Sequence, residues 1–119
     1  MRVIIAGSRA FRYEQTTQLI EKAVRSSGFH VTEVVSGCAP GIDKLGERWA
    51  GENGKRIKRF PADWDRFGKS AGVRRNEEMG QYADALIAIW DGESRGTRHI
   101  IAYMSNHQDK PVFIAYENP

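Results

Sequence analysis

The chain has 119 residues, 40% of them hydrophobic and 28% charged, with a net charge of +3 and a pI near 9.2. That length builds one modest core and is read as one domain over residues 1–119. No apolar run approaches the roughly 18–20 residues that span a bilayer, so no membrane partner is expected. A strand that starts at the second residue leads us to expect no signal peptide, and the single cysteine fits an expected location in the reducing cytoplasm. One cysteine excludes an internal disulfide framework. With three scattered histidines it offers no metal-ligand spacing, so neither a metal nor a cofactor is expected. Arginine outnumbers lysine by twelve to six, a bias that suits forked binding of phosphate or carboxylate. The positive excess is mild, with no basic run beyond Lys55–Arg59.

A short apolar strand over Arg2–Ala6 runs straight into Gly7-Ser8-Arg9. A helix over Tyr13–Ser27 carries Tyr13, Ile20, Ala23 and Val24 on one stripe and stops at Gly28. A strand over Thr32–Ser36 leads to a helix over Pro40–Asn53, with Pro40 in its first turn and Gly54 at its end. The next strand, Arg56–Phe60, carries the lysine and arginine content of a sheet edge. Pro61–Lys69 is the one long irregular stretch, and Trp64 and Phe67 within it argue against disorder. A helix over Ser70–Tyr82 turns Met79 and Tyr82 inward. It is followed by the most apolar strand, Ala85–Trp90. A last helix, Gly96–Asn106, sets Thr97, Ile100, Ile101 and Met104 on one face, and Pro111–Ala115 is the last strand. Alternating strands and helices predict an α/β, three-layer Rossmann-like fold with a five-stranded parallel sheet. The first and fourth strands are apolar throughout, as central strands are. The expected order is 3-2-1-4-5, with ligands at the carboxyl ends where the order switches between strands 1 and 4.

Four segments fall at that rim. Gly7, Ser8 and Arg9 offer close backbone approach, a hydroxyl donor and a guanidinium fork. They lack the glycine spacing of the ordinary dinucleotide fingerprint. Gly37-Cys-Ala-Pro-Gly41-Ile-Asp43 brings a helix N-terminus close to the sheet. Asp43 would repel a phosphate there, so it is expected to accept from a ribose hydroxyl or to pair with an arginine; as a plain first-turn acid it also suits the helix dipole. Cys38 reads as a small buried filler, since no partner base marks it as a nucleophile. Arg75 and Asn76 begin the Ser70–Tyr82 helix. Arg75 shares the inward face with Met79, with Asp63 or Asp65 as competing partners, and Arg74 points to solvent. In Trp90–Thr97, Asp91, Gly92, Ser94, Gly96 and Thr97 form a turn that opens a helix. Its free N–H groups and hydroxyls suit an anion, and Ser94 is the expected N-cap. Trp64 stands ready to stack on a base or to lid the site. Trp49 reads as core, His99 as a surface residue or an acid–base group, and His30 and His107 as structural or solvated.

Taken in order, these motifs resemble the SLOG superfamily, which joins the Smf/DprA and LOG-type proteins, and within it the small YspA/YpsA-related branch. The resemblance rests on Gly7-Ser8-Arg9, Gly37-x-Ala39-x-Gly41-x-Asp43, Pro61-Ala-Asp-Trp-Asp65, Gly68-Lys-x-Ala-Gly72, Arg75-Asn76-x-x-Met79, Ala83-Asp-Ala-Leu-Ile87 and Ser94-Arg-Gly-Thr97, and runs through nearly the whole chain. It implies a small nucleotide-derived ligand at the rim and self-association into a homo-oligomer. LOG-type relatives hydrolyse the N-glycosidic bond of nucleoside monophosphates with an arginine and a glutamate. The arginine corresponds to Arg75, but the glutamate position holds Ile100, which can neither stabilise an oxocarbenium ion nor activate water. The first expectation is therefore a binding or sensing domain. The alternative is a phosphoribohydrolase-type N-glycosidase, with Arg75 holding the phosphate and Asp43 or Glu93 acting on the sugar. Single-stranded nucleic-acid binding, prompted by the pI and Trp64, ranks third.

Overall fold

The structure is a computed structural model that describes residues 1–11 and 17–119. Its strands are β1 (Arg2–Gly7), β2 (Glu33–Ser36), β3 (Arg56–Arg59), β4 (Ala85–Trp90) and β5 (Val112–Tyr116). They form one sheet in the order β3-β2-β1-β4-β5, every neighbouring pair parallel. The helices are α1 (Gln18–Ser27), α2 (Ile42–Glu52), the single-turn α3 (Trp64–Phe67), α4 (Ala71–Tyr82) and α5 (Arg95–Ala102).

The period of two along a strand sorts the core into two layers. Val3 and Ile5 of β1, Val34 of β2, and Ala85, Ile87 and Ile89 of β4 face α1 and α2, where they meet Ile20, Ala23, Ile42, Leu45, Trp49 and Ala50. Ile4, Ala6, Val35, Leu86 and Ala88 face the opposite way, onto Met79, Ala83, Ile100 and Met104. Strands buried on both faces need apolar residues at every position, which is why β4 reads as an unbroken hydrophobic run. Trp49 is in the first layer, as expected, and its indole N–H donates to Glu21 at 2.5 Å. Because α1 and α2 lie on one face and α4 and α5 on the other, the chain switches sides between β1 and β4. A crevice opens there at the carboxyl ends.

Several local expectations need correction. Pro61–Lys69 is not irregular: the Asp63 carboxylate accepts from the Arg66 N–H at 3.2 Å and caps α3, and a 3₁₀ turn over Gly68–Ser70 leads into α4. Pro40 lies ahead of α2 rather than in its first turn, because Gly41 occupies the N-cap with φ of 84°. A Cβ at Gly41 would stand 2.3 Å from the Ser8 carbonyl oxygen, so only glycine lets α2 start this close to the end of β1. The last helix leaves α geometry after Ala102 and closes in a π turn over Tyr103–His107. Phe60 follows β3 instead of ending it, and β5 runs one residue further, to Tyr116. Gly28 ends α1 in the left-handed conformation as predicted; Tyr13, placed on that helix's stripe, lies outside the described residues.

Candidate functional site

A hollow of about 180 Å³ opens where β1 and β4 end. Arg9 from the turn after β1, Asp43 from α2, Arg75 and Asn76 from α4, and Ser94, Gly96 and Thr97 from the start of α5 line it together. Ala6, Gly7, Ala39, Met79 and Ile100 complete the wall. A second hollow of about 200 Å³ adjoins it, lined by Gly37, Cys38, Pro40, Pro61, Ala62 and Trp64, with Arg9, Ala39 and Arg75 common to both.

Asp43 is 5% exposed, and its Oδ2 accepts from the Ala39 N–H at 3.2 Å. Burial pushes its carboxyl up to about 6, against the pull of that N–H and of the Arg75 and Arg9 charges; Glu47, one turn on, adds to the rise. Among the described residues no ion pair closes onto Asp43. Arg75 turns to other partners: Nη1 donates to the Gly37 carbonyl, and Nε donates to Asn76 Oδ1 at 2.9 Å. Burial lowers the Arg75 pKa from its ordinary value while the nearby Asp43 opposes the shift, and a guanidinium stays charged regardless. A Cβ at Gly37 would stand 2.8 Å from both Arg75 Nη1 and Asp43 Oδ2, so the turn after β2 is glycine because these two side chains occupy the space. Asp63 caps α3 and is not the partner of Arg75. Arg74 is exposed as expected, over the Phe67 ring.

Asn76 does more than its place in the motif indicates. It is 6% exposed, and its Nδ2 donates to the Gly96 carbonyl at 3.2 Å and lies 3.1 Å from His99 Nδ1. It therefore ties α4 to the start of α5. His99 stacks on Tyr103, with ring centroids 6.2 Å apart, and does not line the hollow.

The turn before α5 is built from within. Asp91 Oδ1 accepts from the Ser94 N–H at 2.8 Å and the Glu93 N–H at 2.9 Å, and these bonds hold its carboxyl below the usual range. The Trp90 indole N–H donates to the Ser94 carbonyl at 3.1 Å. Ser94 occupies the N-cap position but makes no side-chain bond to the helix backbone. Its hydroxyl instead meets Thr97 Oγ1 at 3.2 Å. The first N–H groups of α5 therefore lack the expected serine cap.

Some predicted site residues lie elsewhere. Asp91, Gly92 and the exposed Glu93 shape the turn without lining either hollow. Ser8 is buried: its N–H donates to the Ile89 carbonyl at 3.3 Å, and its Oγ accepts from the Ala10 N–H at 3.2 Å. It supports the turn after β1, as Gly41 supports the next one. Cys38 is half-buried with φ of 65° and lines the second hollow, so it is no core filler.

The sequence reading missed Glu47. This 9%-exposed acid accepts from the Ser36 hydroxyl at 2.6 Å and from Arg59 Nε at 2.9 Å, with Lys44 Nζ at 3.5 Å. Burial alone would raise it, but these partners outweigh burial and the carboxyl settles below its ordinary value. The available signal was its spacing of four from Asp43, which puts both on one helix face. Among the described residues no cluster of potential ligands could hold a metal ion, and no helix is long and apolar enough to cross a membrane.

Comparison with known proteins fits this architecture. The family model of the YspA, cpYpsA-related SLOG family (YAcAr) matches residues 1–67. The Gene 61 protein of Mycobacterium phage D29 is 40% identical over 108 residues, covering 82% of this chain and 83% of the phage protein. The structure is similar to that of DNA processing protein A (DprA) from Streptococcus pneumoniae, with a TM-score of 0.76 and 19% identity. That match covers 98% of this chain, which spans 50% of the streptococcal one. Fold and sequence thus define a Rossmann-like SLOG protein. More narrowly, the chain belongs to the YspA, cpYpsA-related SLOG family, and that membership points to nucleotide-related binding.

Proposed function

We propose that the chain binds a nucleotide or nucleotide derivative at the carboxyl edge of the sheet, as a sensing or sequestering domain. The observation that carries this reading is the convergence of Arg9, Asp43, Arg75 and Thr97, from four separate segments, on one hollow. A phosphate belongs at the α5 end, where Thr97 and the start of the helix share the hollow with two guanidiniums. Asp43 then stands away from the phosphate and accepts from a ribose hydroxyl, which compensates a buried carboxylate that has few partners of its own. Isothermal titration calorimetry with AMP, ADP-ribose and cyclic nucleotides tests the reading. At least one of them gives a saturable heat; silence from all of them at millimolar concentration overturns the proposal.

A second reading, N-glycosidic hydrolysis of nucleoside monophosphates, draws on one observation. Ile100 lines the hollow at the position where LOG-type relatives carry glutamate, which leaves Asp43 as the sole acid among the described residues of the lining, with a carboxyl pushed up to about 6. On this reading chromatography detects free base released from AMP by the wild type and none from Asp43→Asn. No release by the wild type removes the reading and leaves the binding proposal intact.

A further inference from the structure

We propose that the second hollow is a base-stacking subsite with Trp64 as its wall, so that a bound nucleotide lies across Arg9 and Arg75 with its phosphate toward α5 and its base toward α3. The proposal rests on the nucleotide reading above and specifies the orientation of the ligand.

The two hollows share Arg9, Ala39 and Arg75, so one ligand can straddle them. Their linings differ in chemistry. The first presents hydroxyls, an acid and a helix start. Beyond the shared arginines, the second presents Cys38, Pro40, Pro61, Ala62 and Trp64, a surface suited to a flat uncharged ring. Trp64 is 51% exposed but anchored along one edge. Asp63 caps the turn that carries it, and the indole edge lies against Gly72, where a Cβ would stand 3.4 Å from Trp64 Cη2. A large aromatic face already held in place loses little conformational freedom when a ring stacks on it. Among the described residues, the Arg9 and Arg75 guanidiniums are further planar groups at this boundary.

The subsite also has a predictable selectivity. The Cys38 N–H donates to Ser36 Oγ at 3.1 Å, the Ala39 N–H donates to Asp43, and the Gly37 carbonyl accepts from Arg75. Pro40 and Pro61 have no N–H to offer. With the Cys38 and Ala39 N–H groups engaged and no N–H on either proline, the base is held chiefly by its face. Adenine and guanine are accepted alike.

Calorimetry with AMP, GMP and ribose 5-phosphate on the wild type, Trp64→Ala and Trp64→Phe tests the proposal. The wild type binds AMP and GMP within about threefold of each other, and each about tenfold to a hundredfold tighter than ribose 5-phosphate. Trp64→Ala brings AMP to within about threefold of ribose 5-phosphate and leaves the latter unchanged, while Trp64→Phe retains most of the advantage. Equal affinity of AMP and ribose 5-phosphate in the wild type overturns the stacking subsite and leaves the rim site standing. So does an AMP advantage that survives Trp64→Ala, or an equal loss of both ligands in that variant. If neither AMP nor ribose 5-phosphate binds, this inference is overturned, and the nucleotide reading then stands or falls on ADP-ribose and the cyclic nucleotides.

Discussion

Asp43 and Glu47 stand one turn apart on α2, both acidic and both buried, at 5% and 9% exposure. Glu47 lies over the end of β2 with the Ser36 hydroxyl, Arg59 and Lys44 around it, and its carboxyl falls below the ordinary value. Asp43 lies at the wall of the hollow with one backbone N–H, and its carboxyl rises to about 6. Burial pushes both in the same direction; the supply of partners decides which way each one moves. An acid whose partners are complete belongs to the fold. An acid left short of them, beside an Arg75 that bonds Gly37 and Asn76 instead, is available to something from outside.

The largest effect that would break this comparison is on stability. Glu47→Ala removes the acceptor from a buried hydroxyl and from Arg59, and is expected to cost about 3 kcal/mol in urea denaturation. AMP affinity then stays within about threefold of wild type. A variant that kept its stability but lost binding would reverse the roles assigned to the two acids.

Asp43→Asn is expected to act with the opposite sign. An acid moved from its ordinary 3.8 to about 6 destabilises the fold when ionised, by about 3 kcal/mol for a shift of this size. That stability is present below pH 3.8 and is lost as the pH rises towards 6. The neutral amide escapes the loss. The variant should match wild type at the acid end, gain on it through that window, and hold an advantage of about 2–3 kcal/mol above it. Denaturation curves of both proteins across pH check this, and calorimetry should show weaker AMP binding by the more stable variant.

The smallest effect sharpens the contrast at Arg75. Lysine keeps the charge but cannot hold the Gly37 carbonyl and Asn76 while facing a ligand, so Arg75→Lys is expected to weaken AMP binding about tenfold. Calorimetry reads the change. An unchanged affinity would mean that charge alone matters at this position.

Much of the frame was legible because it follows from period and punctuation. The unbroken apolar run of β4 marked a central strand, and alternating elements implied a parallel sheet, whose expected order is the one found. The spacing from Arg75 to Met79 placed the arginine on the inward face, and both residues line the hollow. What escaped depends on tertiary partners. α3 is a single turn with no periodicity to detect. Asp91 and Ser94 are plausible ligand groups in the sequence, but in the fold a turn and a neighbouring threonine engage them. Glu47 acquires its role only through Ser36 and Arg59, which arrive from β2 and β3.

Asn76 has one further consequence. Its oxygen faces a guanidinium, while its nitrogen faces a carbonyl and an imidazole nitrogen, so the amide has one workable orientation, assigned from its neighbours. Turned by half a rotation, it would set oxygen against oxygen and amine against guanidinium. The wall bearing Arg75 and the wall bearing Thr97 are thereby pinned through a single keyed joint. Parting these two walls would cost that joint, about 1 kcal/mol for a bond of this kind.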